Sequence, residues 1–322
     1  MFAVYADALS SDDPLSGLVV GDRPDPTPPD GWTTVSVKAA SLNHHDLWSL
    51  RGVGLMQERL PMILGCDAAG LDEDGNEVVV HAVISDAGWS GDETLDPKRS
   101  LLSERHQGTF ADRVVVPRSN VVPKPSSLSF EEAACLPTAW LTAYRMLFTQ
   151  GGLKAGDTVL VQGAGGGVAT ALITLARAGG LKVLATSRDK ARRERALEIG
   201  AHEVFESGAR LPVKVDAVME TVGRATWSHS VRSLRPGGKI VISGTTSGAD
   251  LDDAELTRVF FLQLRVVGST MGTRAELASL VTMLESTGAR PLVDRVLPME
   301  KARDAFAAMS QGDVFGKIVL SR

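Results

Sequence analysis

The stretch "VLVQGAGGGVATALITLA" (159–176) constrains the fold more than any other part of the chain. A β-branched run enters it, a cluster of glycines turns it, and an apolar, helix-like segment leaves it. Glycine accepts a left-handed backbone and a close approach by another group, so such a turn suits a strand that hands over directly to a helix. From Thr158 onward the same texture recurs. Near-continuous apolar runs, "TVLVQG", "LKVLATS", "VDAVMETVG" and "GGKIVISGTT", alternate with helical stretches such as "RDKARRERALEIGA", which Gly200 ends. Alternation of this kind predicts an α/β fold with a parallel, doubly wound sheet, because parallel neighbours need a crossover and the helices supply it.

The first part of the chain reads differently. Residues 1–122 are rich in Pro, Gly and short β-favouring runs, with strands expected at 33–42, 77–84 and 109–117. "RPDPTPPDG" (23–31) is a loop, since its prolines fix φ and remove donors. This part predicts a mostly antiparallel β domain. Ser129 then opens S-F-E-E, a helix start with Glu132 three residues on. The tail 297–322 reads as an amphipathic helix followed by a strand. The expected organisation is therefore 1–122, a β domain; 123–270, a nucleotide-binding domain; and 271–322, a C-terminal segment.

At 322 residues the chain is too long for one ordinary core. A net charge of −5 argues against a nucleic-acid partner, which favours a basic face. No apolar run reaches the ~18 residues that span a membrane, and "MFAVYADALSSDD" lacks the pattern of a signal peptide. Two cysteines, Cys66 and Cys135, are too few for a disulfide framework or a four-cysteine zinc site. The expectation is a cytoplasmic protein with a small-molecule substrate and neither a nucleic-acid nor a membrane partner.

In a dinucleotide turn the first glycine makes the bend, the second admits the pyrophosphate and the third lets helix pack on strand. Gly163 and Gly165 take the first two places; Val168 stands at the third, with Gly166 and Gly167 just before it. The helix that follows presents free N–H groups to phosphate. At the end of the next strand come Thr186, Ser187 and Arg188 rather than a lone acid, followed by Asp189. A hydroxyl and a guanidinium suit a 2′-phosphate, so NADP(H) is the expected cofactor; an Asp189 turned to the ribose would weaken that preference. Arg193 and Arg195 are expected on a solvated helix face.

Several blocks run in order along nearly the whole chain: "AASLNHHDLWSLRGVG" (39–54), "LPMILGCDAAG" (60–70), "GTFADRVVVP" (108–117), "LSFEEAACLPTAWLTAY" (128–144), the glycine turn, "VFFLQLRVVGSTM" (259–271) and "DVFGKIVL" (313–320). Together they resemble the medium-chain dehydrogenase/reductase superfamily, in the branch of the quinone oxidoreductases. The resemblance implies a GroES-like catalytic domain at 1–122, a Rossmann NADP(H)-binding domain at 123–270, and a tail from 271 that returns to the catalytic domain. It implies further cofactor contacts at Thr138, Ala164, Arg192, Thr221, Val222, Gly244, Thr245, Phe315 and Lys317. The family counterpart of 259–271 is a strand at the sheet's edge. An exposed apolar edge invites pairing, so a homodimer is expected.

Departures from the zinc-dependent pattern are as informative. Asn43 stands where zinc alcohol dehydrogenases carry a catalytic Cys, and Cys66-Asp67 replace their His-Glu pair. The stretch 83–107, where a structural zinc lobe would fall, has no cysteine. The expectation is no metal. By resemblance Asn43 lies near the nicotinamide. His44 and His45 are further catalytic candidates, each with a packing role as the alternative, since adjacent residues do not both face one site. Asp46 is expected to brace a helix start. These features point to an NADPH-dependent oxidoreductase that reduces quinones or α,β-unsaturated carbonyls without zinc. The alternatives are a non-catalytic NADPH-binding sensor or structural protein, a zinc-type alcohol dehydrogenase, and an enoyl-thioester reductase.

Overall fold

The structure, a computed structural model, describes all 322 residues. It divides into two compact units, one formed by Met1–Leu141 with Met271–Arg322 and the other by Thr142–Thr270. Residues 123–141 thus belong with the first unit rather than with the nucleotide-binding part.

The first unit is built on a mostly antiparallel sheet. Strand Trp32–Ser41 pairs with Asp67–Leu71, with Arg113–Pro117 and with the C-terminal strand Lys317–Ser321. The last of these pairs parallel with Val293–Pro298 on its other side. The C-terminal strand therefore shares a sheet with strands from the first part of the chain. The expected amphipathic helix of the tail is Ala302–Gln311; its Phe306 and Met309 enter the same core as Val35, Leu50, Phe110 and Leu320. Burying each such side chain contributes ~1.5–3 kcal/mol. The expected strand 77–84 is two strands, Glu77–Val80 and Val83–Ile84, in different sheets. The break is at His81, which is buried and hydrogen-bonds the Gly272 carbonyl (2.9 Å).

The second unit is a six-stranded, wholly parallel sheet. Its spatial order is Glu203–Phe205, Lys182–Thr186, Thr158–Val161, Val215–Glu220, Leu234–Ile242, Arg265–Gly268. The order reverses beside Thr158–Val161, the place where doubly wound sheets open a crevice at their carboxyl ends. Helices Gly167–Ala178, Lys190–Glu198 and Trp227–Ser233 make the crossovers. Of the expected strand 259–271 only Arg265–Gly268 is extended, because the preceding residues form the helix Leu256–Phe261. No helix is long and apolar enough to cross a membrane.

Candidate active site

In the second unit, strand Thr158–Val161 ends in a turn whose backbone needs glycine. Gly163 has φ 74° and Gly165 φ 137°, conformations that residues with a Cβ rarely adopt. A Cβ on Gly163 would come 2.7 Å from Val222 Cγ2, and one on Gly165 2.8 Å from Arg192 Nη1. Arg192 thus reaches back over the turn. The helix Gly167–Ala178 starts at Gly166 without a side-chain cap, which leaves its first N–H groups to an outside acceptor. Ala164 is pinned by its N–H to the Thr186 carbonyl (2.8 Å), and Val168 lies in the first helical turn.

At the end of the neighbouring strand, Ser187 is buried and Arg188 exposed. The Asp189 carboxylate caps the next helix, accepting the Arg192 N–H (3.0 Å), and that bond holds its pKa below the usual carboxylate range. Arg193 is no idle surface cation. Its Nη1 donates to the carbonyls of Ser187 (2.7 Å) and Arg188 (3.1 Å) and fixes the loop. Thr221 and Val222 follow strand Val215–Glu220, and Gly244 and Thr245 follow Leu234–Ile242, at the same carboxyl edge as the glycine turn. The sequence does not flag Glu220, which supports this edge from below. Fully buried, its carboxylate accepts from the N–H groups of Val222 (2.8 Å) and Gly223 (3.1 Å) and the hydroxyls of Thr226 and Ser230.

In the first unit, Asn43 begins the helix His44–Leu50, and Asp46 braces that start by accepting the Asn43 N–H (2.8 Å). The Asn43 side chain joins a buried polar cluster. Asp67, with no exposed surface, accepts from Ser41 Oγ (2.9 Å), Asn43 Nδ2 (2.8 Å) and Thr138 Oγ1 (2.5 Å). Lys317 Nζ lies 3.5 Å from the same carboxylate and donates to the Leu42 carbonyl and to Asn43 Oδ1, both at 2.6 Å. Three of these residues are ones expected at the cofactor or the substrate. Lys317 spends its three N–H donors inside the protein, which argues for a structural cation over a phosphate contact. Thr138 gives its hydroxyl proton to Asp67. Asn43 uses one amide N–H on Asp67 and the other on the Ser41 carbonyl (3.4 Å), so it has none left for a substrate. Phe315, expected at the cofactor, is buried, with its N–H on Asp294 Oδ1 (3.1 Å).

The two histidines part company. His44 is exposed and makes no hydrogen bond; desolvation by the surrounding chain, and then the Lys317 charge, lower its pKa, so its ring is neutral at pH 7. His45 faces inward, with Nε2 3.1 Å from Glu104 Oε1 and Nδ1 3.3 Å from Cys66 Sγ. Burial disfavours the charged His45 ring, but Cys66, Asp46 and Glu104 together push its pKa well above the ordinary value. Burial pushes the Cys66 thiol up, with His45 opposing it.

The site does not suit a catalytic zinc at the family's positions. Asp67 is saturated by donors, the Asn43 amide is locked between Asp67 and Lys317, and Cys66 turns its sulfur away to His45 and the Leu102 carbonyl (3.2 Å). The glycine turn does suit a nicotinamide dinucleotide, since side chains at Gly163 and Gly165 would fill the cradle.

Residues 29–126 match the family model described as an alcohol dehydrogenase GroES-like domain, and 167–286 the one described as a zinc-binding dehydrogenase. A solved structure described as an NAD-dependent alcohol dehydrogenase is 34% identical, with a TM-score of 0.93 and 100% coverage of both chains. The chain is a medium-chain dehydrogenase/reductase. Among curated members of this superfamily, the acryloyl-coenzyme A reductase of Sulfurisphaera tokodaii is 26% identical, over 95% of this chain and 97% of that one. The quinone oxidoreductase of Lama guanicoe is 27% identical, over 92% and 90%. Like these relatives, this medium-chain dehydrogenase/reductase is an oxidoreductase that binds a nicotinamide cofactor and acts on a small molecule.

Proposed function

We propose that the chain reduces quinones or α,β-unsaturated carbonyls with NADPH and needs no zinc to do so. The observation that carries this reading is the Lys317–Asp67–Asn43–Thr138 cluster. Of the positions from which a zinc-dependent relative would hold its ion, Asn43 and Asp67 are tied up by an ammonium and neutral donors, and Cys66 faces His45. Alkoxide formation from a plain alcohol then lacks a Lewis acid. An activated C=C bond or a quinone needs none, because hydride addition leaves an oxyanion already delocalised as enolate or phenolate. Bound NADPH supplies the hydride. The chain's task is to position the partners, offer the oxygen a donor and let water return the proton. Of the candidates, His44 alone has a polar side chain that is exposed, neutral and without a hydrogen bond. It is the proposed donor.

NADPH rather than NADH is supported by the turn of Asp189 into its helix cap, away from the role of a ribose acid, with Ser187, Arg188 and Arg192 beside it. A homodimer is supported by the edge position of Arg265–Gly268, which pairs with a neighbour on one side only. Phe260 and Phe261, 70% and 77% exposed, stand just before it. The test is NADPH consumption with a panel of quinones, enones and enoyl thioesters, with and without chelator, against NADP⁺ reduction by alcohols. Turnover of a quinone or enone that chelator leaves intact supports the proposal, with His44→Ala lowering kcat. Preference for an enoyl thioester would favour the second reading, which the acryloyl-coenzyme A reductase relative supports. Chelator-sensitive alcohol oxidation, or NADPH binding without any turnover, would refute both.

A further inference from the structure

We propose that the first unit carries a binding site for a zinc-class divalent cation, built by His45, Asp46 and Cys66 and oriented by Glu104. This set shares only Cys66 with the family's zinc positions; His45 and Asp46 take the place of Asp67, which is saturated, and of Asn43, which is locked. It is also independent of the reaction proposed above.

The geometry is that of a site assembled before the ion arrives. One ligand atom from each of His45, Asp46 and Cys66 lies within 4.8 Å of the other two. Cys66 Sγ is 3.3 Å from His45 Nδ1, and Nδ1 is 4.0 Å from Asp46 Oδ1. Tetrahedral zinc, with bonds of ~2.3 Å to sulfur and ~2.0–2.1 Å to nitrogen and oxygen, sets its ligands about 3.4–3.6 Å apart. The two edges at His45 bracket that spacing, and the Cys66–Asp46 edge, within 4.8 Å, closes by up to about 1.3 Å when an ion is seated. Imidazole nitrogen, thiolate sulfur and one carboxylate oxygen form a borderline-soft set, which selects Zn²⁺ or Co²⁺ over Mg²⁺ or Ca²⁺.

The surroundings orient the set as a metal needs. His45 Nε2 lies 3.1 Å from the Glu104 carboxylate, which holds a proton on Nε2, so an ion binding at Nδ1 displaces the proton that the charged ring carries there. The Asp46 carboxylate is fixed from both ends, Oδ2 by the Asn43 N–H (2.8 Å) and Oδ1 by the Gly65 N–H (3.2 Å), and Oδ1 keeps a lone pair to spare. His45 and Asp46 are neighbours in the first turn of their helix, while Cys66 comes just before strand Asp67–Leu71, so an ion would tie helix to sheet. Three protein ligands leave the fourth tetrahedral place to water.

The test uses the full chain, stripped with chelator and titrated with Co²⁺. One equivalent per chain should bind with a thiolate-to-cobalt charge-transfer band and tetrahedral visible bands, and Zn²⁺ should displace it. Cys66→Ser and His45→Gln should abolish the band, Cys135→Ala should keep it, and Glu104→Gln should weaken affinity ~10–100-fold. A wild type without the band, a band that survives Cys66→Ser, or one lost only with Cys135→Ala would overturn the site; unchanged affinity in Glu104→Gln would overturn its orientation. NADPH turnover of the stripped protein is read separately, so failure here and failure of the proposed reaction are distinguishable.

Discussion

Replacing Lys317 by Met discriminates between a cofactor contact and a structural cation. The substitution keeps the apolar stem and deletes the ammonium, which is 2% exposed. The deletion leaves Asp67 a buried carboxylate without its cation, and strips the Leu42 carbonyl and Asn43 Oδ1 of donors at 2.6 Å. Removing one member of a buried pair costs ~3–5 kcal/mol. Ser41, Asn43 and Thr138 still donate to Asp67, which argues for the lower end, about 3 kcal/mol. For a unit of this size that loss lowers the melting temperature by ~6–12 °C. Asp67→Asn together with Lys317→Met removes both charges and should recover at least ~1 kcal/mol relative to the sum of the single variants. The assay is denaturant and thermal unfolding of all four proteins, with KM for NADPH measured on the folded enzyme. A Lys317→Met protein that loses less than ~1 kcal/mol while its KM for NADPH rises tenfold would refute the structural role.

Other consequences are as direct. Arg188→Ala and Arg192→Ala should each raise the KM for NADPH ~10–100-fold and leave that for NADH nearly unchanged, the loss of one charge-assisted phosphate contact; equal weakening of both cofactors would contradict the assignment. A charge on the exposed edge strand, Val266→Asp, should convert a dimer to a monomer by light scattering, and a wild type already monomeric at micromolar concentration would end that idea. Burial pushes the Cys135 thiol up to about 12 and Cys66 upward as well. Since the thiolate is the reactive form, neither should react with a thiol reagent at pH 8 until the chain is unfolded, when both should; rapid native labelling would contradict this.

What was legible in the sequence is what depends on neighbours along the chain. The parallel sheet followed from apolar runs and intervening helices, and the helix at Ser129 from a capping box whose two bonds form at 3.2 and 2.9 Å. Asp46 as a brace followed from the same logic. The stretch 259–271 misled because its β-branched end, which is the edge strand, adjoins "VFFL", whose apolar residues fit a helix equally well; periodicity does not separate the two in so short a run. The polar site escaped for a different reason. Lys317 and Asp67 are 250 residues apart, and His45 and Glu104 are 59 apart. Motif resemblance named several of these residues singly and gave Lys317 to the cofactor, because resemblance transfers positions without counting donors. Once each N–H is assigned an acceptor, Lys317 has none left for a phosphate and Asn43 none for a substrate, whereas His44 keeps both ring nitrogens. If His44→Ala leaves kcat for quinone and enone unchanged, the donor lies outside this helix, and the donor count would have to be extended beyond the first unit.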